Sequence, residues 1–467
     1  MASPVVVILA AGKGTRMRSE LPKLAHPICG RAMIGWTVAT ARAAGAQTIV
    51  VVDAPGAPLG SHLDADVRVV IQERPLGTGD AVRAALGEIA GADTVAVLTG
   101  DTPLLRAASL TGLLAAHAAA GAAATVLTAI LDQPGAYGRV VRDAAGEVVR
   151  VVEAKAAGDA TDAELAIQEV NSGIFAFAGA ALGDALARID NANAQGEFYL
   201  PDVLAVLRGD GARVGAHRLA DPVEMWGVND RIQLAAVTRV AQARILEQLM
   251  AAGATIVNPA MTTADVGVTV APDVQIEPGC CLLGATSVAA GAVIGPHTTL
   301  IDATVGEGAR VVHSHVNGAV LEGRVSVGPF ASLRPGTVLR AGAKAGTFVE
   351  IKNADVGPGS KVPHLSYIGD ADIGADVNLG AATITANYDA RTRRKARTTI
   401  GARVKTSVDT TLVAPVRLGE GAFTAAGSVI GQDVPPGALA GSPGVARSAQ
   451  RNVDGYLDRD NDAKVRG

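Results

Sequence analysis

Apolar positions along the chain follow two different periods, and the switch between them divides the sequence. Within residues 1–229, short β-branched and aliphatic runs alternate with amphipathic or alanine-rich stretches. Residues 5–9, 48–53, 67–71, 94–98 and 124–130 read as buried strands, with helices between them. Strands alternating with helices predict an α/β layer structure. Residues 113–131 form the longest apolar stretch, but Gly121 breaks it and His117 lies inside it. That pattern predicts a helix followed by a strand rather than a membrane span. Residues 230–253 keep helical spacing with no Pro or Gly before Gly253, which predicts a connecting helix over 230–252.

Beyond that helix the period becomes six. Ile276, Leu282, Val288, Ile294 and Leu300 share one register; Leu321, Val327, Leu333, Leu339, Ala345 and Ile351 share another; Ile400, Thr406, Leu412, Leu418, Thr424 and Ile430 share a third. Each hexad can form one short strand and a tight turn with its first residue inward, and three hexads close one triangular coil of a parallel β-helix. Glycines directly after such positions, as in Ile294-Gly295, Ile373-Gly374 and Leu418-Gly419, suit backbone that turns closely or takes positive φ. Slips of one residue at Val305, Val356 and Ile373 mark irregular corners. Residues 386–399 break the repeat for longer and are expected to loop outward, as binding segments of a rigid scaffold do. The expected organisation is a domain over 1–229, the helix over 230–252, the solenoid over 253–448 and a polar tail over 449–467.

Composition narrows this picture. A chain of 467 residues is too long for one core, and an aromatic content of 3% suits a prism with little room for rings. The formal charge of -4 argues against nucleic acid or an anionic membrane as partner and leaves small anionic substrates open. Three cysteines, Cys29, Cys280 and Cys281, the last two adjacent, make a disulfide framework a poor fit. They are expected to be small buried residues of a cytoplasmic protein. The N-terminal apolar run lacks a basic leader and enters Gly12-Lys13-Gly14 directly, so it reads as a core strand rather than a secretion signal.

The first candidate chemistry follows that strand. Leu9-Ala10-Ala11-Gly12-Lys13-Gly14-Thr15-Arg16-Met17, then Leu21-Pro22-Lys23, has the glycines that let backbone N–H groups converge on an anion, and the cations to hold it. The order of Lys and Gly excludes a Walker loop, and Met17 replaces the third glycine of a dinucleotide fingerprint. The run is similar instead to the signature of sugar-1-phosphate nucleotidyltransferases. Leu98-Thr99-Gly100-Asp101 sets a carboxylate at the C-terminal end of an apolar strand, where open α/β sheets keep their ligands, so Asp101 is a candidate for Mg²⁺.

Further segments follow in order: Gln72 with Leu76-Gly77-Thr78-Gly79, Tyr137-Gly138-Arg139, Val152-Glu153-Ala154-Lys155, Glu169-Val170-Asn171-Ser172-Gly173 and Gly227-Val228-Asn229. With the hexad region behind them, the chain resembles, over nearly its whole length, the bifunctional N-acetylglucosamine-1-phosphate uridyltransferases and glucosamine-1-phosphate N-acetyltransferases. That resemblance implies an α/β nucleotidyltransferase (Rossmann-like) domain followed by a left-handed parallel β-helix of hexapeptide repeats. It implies that Leu9, Ala10, Ala11, Gly12, Gln72, Gly77, Thr78, Thr99 and Gly100 surround the uridine nucleotide, with Gln72 presenting its amide to the uracil edge. Gly138, Glu153 and Asn171 would bind the N-acetylglucosamine moiety, and Asp101 with Asn229 would coordinate Mg²⁺. In-line attack of the sugar phosphate on the α-phosphorus of UTP would be aided by charge neutralisation from Arg16 and Lys23. Thr99 stands where the family commonly has an aromatic residue, so weaker packing on the nucleoside is expected.

In the hexad region the segment Lys361-Val362-Pro363-His364-Leu365-Ser366-Tyr367 resembles the one carrying the acetyltransfer base, which makes His364 the candidate general base. By the same resemblance Arg334 and Lys352 clamp the phosphate of glucosamine 1-phosphate, and Tyr367 and Asn378 bind its sugar. Ala381, Asn387, Tyr388, Val408 and Ala426 match positions that contact acetyl-CoA, and Arg447 is a candidate to compensate for the arginine expected at Pro443. Val408 replaces a serine there, Ala390 a glycine and Pro443 an arginine. The basic run within 391–397 is a second candidate for the coenzyme A phosphates. The resemblance also implies a homotrimer. Two alternatives stay open on the sequence: a uridyltransferase whose solenoid is only a trimerisation scaffold, and a transferase of another nucleotide specificity.

Overall fold

The computed structural model describes residues 3–154, 160–193 and 195–441. Two compact units divide the chain, Met1–Ala243 and Arg244–Gly467, with the boundary inside the helix Arg231–Ala251.

The first unit is built on a mixed nine-stranded sheet. Its strands are β1 (Val5–Leu9), β2 (Thr48–Asp53), β3 (Arg68–Ile71), β4 (Thr94–Thr99), β5 (Ala124–Ile130), β6 (Arg139–Arg142), β7 (Val148–Val152), β8 (Glu169–Ala178) and β9 (Val214–Arg218). The order is β9-β5-β8-β4-β1-β2-β3, with the β6–β7 hairpin attached to β8. Strands β1, β2, β3 and β4 pair in parallel, and β8 runs antiparallel between β4 and β5. Their β-branched runs are buried because helices cover the parallel strands, and alternate residues of β8 stack Phe175 on Phe177 at 5.6 Å between ring centroids. The stretch around Gly121 is a helix, Ala107–Ala120, then β5, as the pattern predicted, with Gly121 at φ +55 ending the helix. Expected strand limits shift by one residue in two places: β3 starts at Arg68 and β4 runs on to Thr99. Strand β1 lies between β2 and β4, so the chain leaves it toward opposite sides of the sheet. The crevice beyond Leu9 and Thr99 is the switch point at which such sheets bind ligands.

The second unit is a triangular parallel β-helix. The chain visits three faces in turn, begun by Thr255–Ile256, Thr263–Ala264 and Thr269–Val270, and each strand pairs in parallel with its counterpart one coil on. Ile276 pairs with Ile294, Leu333 with Ile351 and Ile400 with Leu418, an offset of three hexads. The first residue of each hexad points inward and is buried, from Ile276 through Ile430. Slips occur at Val305, Val356 and Ile373, and also at Val316 and Leu321, which the pattern did not announce. The glycines divide as their neighbours require. Gly295 takes φ +102, whereas a Cβ on Gly374 would stand 2.6 Å from the Ala402 nitrogen and one on Gly419 2.4 Å from the Pro436 nitrogen. No disulfide joins the three cysteines; Cys29 and Cys280 are buried as expected, but Cys281 is only half-buried because its side chain faces outward beside inward Leu282. No helix among the described residues is long and apolar enough to cross a membrane.

The close approach at Gly374 gives a direct test of the coil stacking. Gly374→Ala is expected to destabilise the β-helix by several kcal/mol, on the order of an overpacking or backbone-strain penalty. A thermal unfolding scan in which the variant melts with the parent would contradict it.

Candidate functional sites

In the first unit, two adjoining cavities of about 270 Å³ and 660 Å³ open at the ends of β1 and β4 and share Leu9, Thr78, Thr99 and Asp101. The smaller is lined by Leu9, Ala10, Ala11, Gly12, Lys23, Gln72, Gly77 and Thr78, all singled out in the sequence, and by Glu197. Gly100 sits behind its wall, donating to the Leu9 carbonyl at 2.9 Å, where a Cβ would press within 2.7 Å of Leu24. Gly77 takes φ +109 with the Phe198 carbonyl 2.5 Å from where a Cβ would lie, so segment 197–200 packs directly on this turn. The Thr78 hydroxyl accepts from the Leu200 N–H at 3.0 Å.

Gln72 is 5% exposed, and its hydrogen bonds decide which atom of its amide is left to offer. Its NH₂ donates to the Gly77 carbonyl at 3.1 Å and to Asp80 at 2.8 Å, and both partners are acceptors only. The carbonyl oxygen is therefore the group Gln72 has to offer, an acceptor matched to an imide N–H.

Between the two cavities Lys23 Nζ meets Asp101 Oδ2 at 2.7 Å, with side-chain exposures of 11% and 25%. Across from them Arg16 donates to Asn229 Oδ1 at 3.0 Å, and the Asn229 N–H donates to Gln233 Oε1 at 2.8 Å. Asp101 and Asn229 converge on Gly227: a Cβ there would lie 3.9 Å from the Asp101 carboxyl carbon and 3.9 Å from Asn229 Nδ2. One carboxylate and one amide oxygen fit Mg²⁺, which keeps few protein ligands and completes its shell with water and phosphate oxygens. The described residues hold no cluster of three or more His, Cys, Asp or Glu side chains that would suit an all-protein metal cage.

The larger cavity is lined by Gly138, Glu153, Asn171 and Asn229, with Tyr137 and Gln233 beside them. The Asn171 N–H donates to the Gly138 carbonyl at 2.8 Å, and its Oδ1 accepts from Gly173, so the side chain is fixed by its own strand. A Cβ on Gly138 would reach within 2.9 Å of Val151. Burial raises the Tyr137 hydroxyl above its ordinary range, with the Asp101 charge in the same direction and a backbone hydrogen bond at Gly227 opposing. Asp202, just past the cavity wall at Pro201, is pushed up to about 6 by burial and then by the charges of Glu153 and Asp190.

In the second unit His364 is exposed at the corner between the first and second faces, and its carbonyl accepts from Ser366 Oγ at 2.7 Å and from Ala382 N. Ala381, Val408 and Ala426 follow it up this corner, linked by Asp409 N to Ala381 O and Gly427 N to Val408 O. Asn378 lies on the first face, bridging Lys361 and Lys405. The opposite edge of the second face collects the remaining expected residues. Arg334 and Lys352 stand one coil apart because Leu333 pairs with Ile351, and Arg334 donates to Glu350 at 2.8 Å. A Cβ on Gly369 would lie 2.5 Å from the Tyr367 hydroxyl and 2.7 Å from Asn387 Nδ2, so this glycine leaves the space where those two groups meet.

Asn387 begins the outward excursion, in which Tyr388–Asp389 pairs antiparallel with Arg394–Lys395. The hairpin returns Lys395 against Lys352, whose pKa is held below the usual lysine range by the close approach of the Lys395 amine, by its charge and then by that of Arg334. Tyr388 is 54% and Val408 48% exposed. Pro443, Arg447, Lys155 and the tail over 449–467 lie outside the described residues.

Residues 6–169 match the model of the MobA-like NTP transferase domain. The chain is 49% identical to the bifunctional protein GlmU of Streptomyces avermitilis, an alignment that covers 97% of this chain and 94% of that one. It is 48% identical to the GlmU of Mycolicibacterium vanbaalenii, over 98% and 94%, and 46% identical to that of Mycobacterium tuberculosis, over 97% and 92%. The chain belongs to the GlmU family. The fold is accordingly the nucleotidyltransferase domain followed by the left-handed β-helix of hexapeptide repeats that the sequence implied.

Sequence reasoning missed Glu197, which lines the smaller cavity, and Asp202, which lies behind the wall of the larger one, both on a segment far along the chain. It also left Tyr137 without a role although the motif around Gly138 contained it. Lys395 was legible only as one cation of a basic loop.

The Asp202 shift has a sign that can be tested. A carboxyl whose folded pKa is raised stabilises the fold fully below its unfolded value, and that contribution is lost as pH rises through about 6. Asp202→Asn is therefore expected to raise the unfolding midpoint of the first unit at pH 7 to 8 and to leave it unchanged near pH 4. Equal shifts at both pH values would count against this assignment.

Proposed function

We propose that the first unit carries uridylyl transfer and the β-helix carries acetyl transfer, with the residues placed above in the roles that follow. As a GlmU family member the chain is a UDP-N-acetylglucosamine diphosphorylase and a glucosamine-1-phosphate N-acetyltransferase, with UTP, acetyl-CoA and Mg²⁺ as cosubstrates and cofactor. The observation that carries the first assignment is the Lys23–Asp101 contact at the junction of the two cavities, with Arg16 and Asn229 facing it.

The uridine nucleotide occupies the smaller cavity, its base against the Gln72 carbonyl oxygen and its phosphates over the Gly12–Gly14 backbone. The N-acetylglucosamine moiety of the second substrate occupies the larger cavity, against Gly138, Glu153 and Asn171. Its phosphate oxygen attacks the α-phosphorus; the new P–O bond forms as the bond to pyrophosphate breaks, and no protein nucleophile is needed. Arg16 and Lys23 neutralise charge on the phosphates, and Asp101 with Asn229 would hold Mg²⁺, which would add to that neutralisation. Because Lys23 and Arg16 each hold an oxygen of the metal-binding pair, the cations stand within reach of the phosphates before ligand arrives.

In the β-helix, Arg334, Lys352 and Lys395 receive the sugar phosphate, and Tyr367 and Asn378 bind the sugar. His364 accepts the amine proton as nitrogen attacks the thioester carbonyl, and the C–S bond breaks to release coenzyme A. Acetyl-CoA follows the corner marked by Ala381, Val408 and Ala426, with Asn387, Tyr388 and Arg447 beside it. We further assign a homotrimer located in the cytoplasm. Phe330, Phe348 and Leu365 supply exposed apolar surface along the same corner as His364, with the two phenyl rings stacked at 5.4 Å, and the free thiols suit a reducing compartment. Light scattering of active protein at a monomer mass would remove the trimer.

The deciding experiment supplies glucosamine 1-phosphate, acetyl-CoA, UTP and Mg²⁺ and follows UDP-N-acetylglucosamine by mass. His364→Ala is expected to lower acetyl transfer by a factor of about 10²–10⁴, as loss of a general base does, while uridylyl transfer from supplied N-acetylglucosamine 1-phosphate stays intact. Asp101→Asn is expected to do the reverse. Either variant losing both activities, or neither, would overturn the division of labour.

A further inference from the structure

At the edge of the second face where the hairpin leaves the prism, one carboxylate is almost fully enclosed. Asp370 is 6% exposed and has left-handed backbone, φ +48. Its Oδ1 accepts from Asn353 Nδ2 at 2.5 Å and its Oδ2 accepts from Asn387 Nδ2. Its own N–H donates to the Lys352 carbonyl at 3.0 Å, and its carbonyl accepts from the Thr398 N–H at 3.0 Å. It is thus joined to the coil below, to the residue where the chain departs and to the residue where it returns. The return strand carries Lys395 against Lys352, two ammonium groups that repel each other and have Arg334 close by. Burial alone would raise the Asp370 carboxyl. The amides of Asn353 and Asn387 and the charges of Lys395 and Lys352 outweigh it and hold the group below the usual carboxylate range, so it is an anion facing both lysines. Arg397 is bonded to Asp372, the Asn353 carbonyl and the Ala371 carbonyl, and Arg334 to Glu350, while the Asp370 charge acts on both lysines.

We propose that Asp370 is a positioning residue for acetyl transfer, holding Lys352 and Lys395 together and fixing the root of the 387–397 hairpin so that the pair can receive the sugar phosphate. The proposal rests on the reading that Arg334 and Lys352 face that phosphate. A fixed carboxylate whose charge acts on two neighbouring lysines offsets their repulsion until a dianionic ligand arrives. Without it, the lysines part, the Asn387 amide loses its acceptor and the hairpin shifts.

The test uses the full chain as Asp370→Asn, Lys395→Met, the double variant and Lys352→Met, with thiol release followed against glucosamine 1-phosphate and uridylyl transfer as control. Asp370→Asn and Lys395→Met are each expected to raise KM for glucosamine 1-phosphate by about tenfold, with kcat changed less than about threefold and uridylyl transfer unchanged. Because one acts through the other, the double variant is expected to fall well short of the product of the two effects. An unchanged KM in Asp370→Asn, or multiplicative effects in the double variant, overturns the proposal. An unchanged KM in Lys352→Met instead overturns the underlying phosphate reading, and the proposal with it. Asn353→Ala removes one amide and leaves the carboxylate, and it covers the case in which Asp370→Asn does not fold. It is expected to raise KM less than Lys395→Met does with kcat intact, whereas loss of kcat together with the thermal midpoint marks a merely structural network and refutes the claim.

Discussion

Register between stacked coils is the constraint on which the second unit depends. Inward aliphatic side chains from Ile276 to Ile430 fill the prism, each worth roughly 1.5–3 kcal/mol on full burial. That gain is available only if every sixth position, corrected by the slips, stays on the axis. Positions 16 to 18 residues apart, or 27 where the hairpin intervenes, then lie directly over one another, and function inherits this spacing. Arg334 and Lys352 are neighbours through the pairing of Leu333 with Ile351, and Asn353 reaches Asp370 through the next turn of the same ladder. Thr347 likewise sits beside His364. A loop protein would need many local contacts to bring such groups together, whereas here the backbone ladder does it.

The first unit solves the same problem through strand ends. Parallel pairing of β1 with β4 sends two loops out over one crevice, one carrying the glycines and cations and the other Asp101. The long excursion to Gly227 and Asn229 closes the third side, with the Val228 N–H bound to the Asp101 carbonyl at 3.0 Å. Each cation expected at the phosphates is already held by an oxygen across the cleft. The arrangement orients Lys23 and Arg16 without ligand, and it reduces the reorganisation needed when phosphate oxygens replace those partners.

How much could be read from the sequence depends on whether the signal was periodic. The hexad registers, the strand at 5–9, the helix and strand around Gly121 and the outward excursion after Ala386 were visible because burial imposes a period on residue type. Slips at Val316 and Leu321 were not, since two five-residue steps in succession leave no surrounding run to measure against. Among site residues, those in Gly-rich or strand-end motifs were legible. Glu197 comes into the first site, and Asp202 behind its wall, because the Phe198 backbone packs against Gly77, a contact between segments about 120 residues apart that no local pattern reports. The Gln72 orientation was hidden for a similar reason: it is decided by Asp80, an unremarkable residue of the following helix. Lys395 belonged to a basic run, and only the hairpin pairing of Tyr388 with Lys395 distinguishes it from the other cations.

The last coils depart from the aliphatic rule in a way that bears on the corner expected to hold acetyl-CoA. Thr383, Thr385, Thr406, Thr410 and Thr424 are buried there, and a hydroxyl inside a prism costs free energy unless it is bonded. Thr383 and Thr406 share a hydrogen bond of 2.9 Å, as do Thr410 and Thr424. Thr406 also accepts from the Gly380 N–H at 2.8 Å and Thr424 from the Ser407 N–H at 3.1 Å. Those amides immediately precede Ala381 and Val408. The threonines give up some apolar burial and in return tie the interior to the corner backbone. An aliphatic core fixes only the axial register, but this network fixes where each turn of the corner lies. It therefore supplies rigidity to the corner backbone in the coils proposed to meet acetyl-CoA, where Val408 offers no hydroxyl of its own.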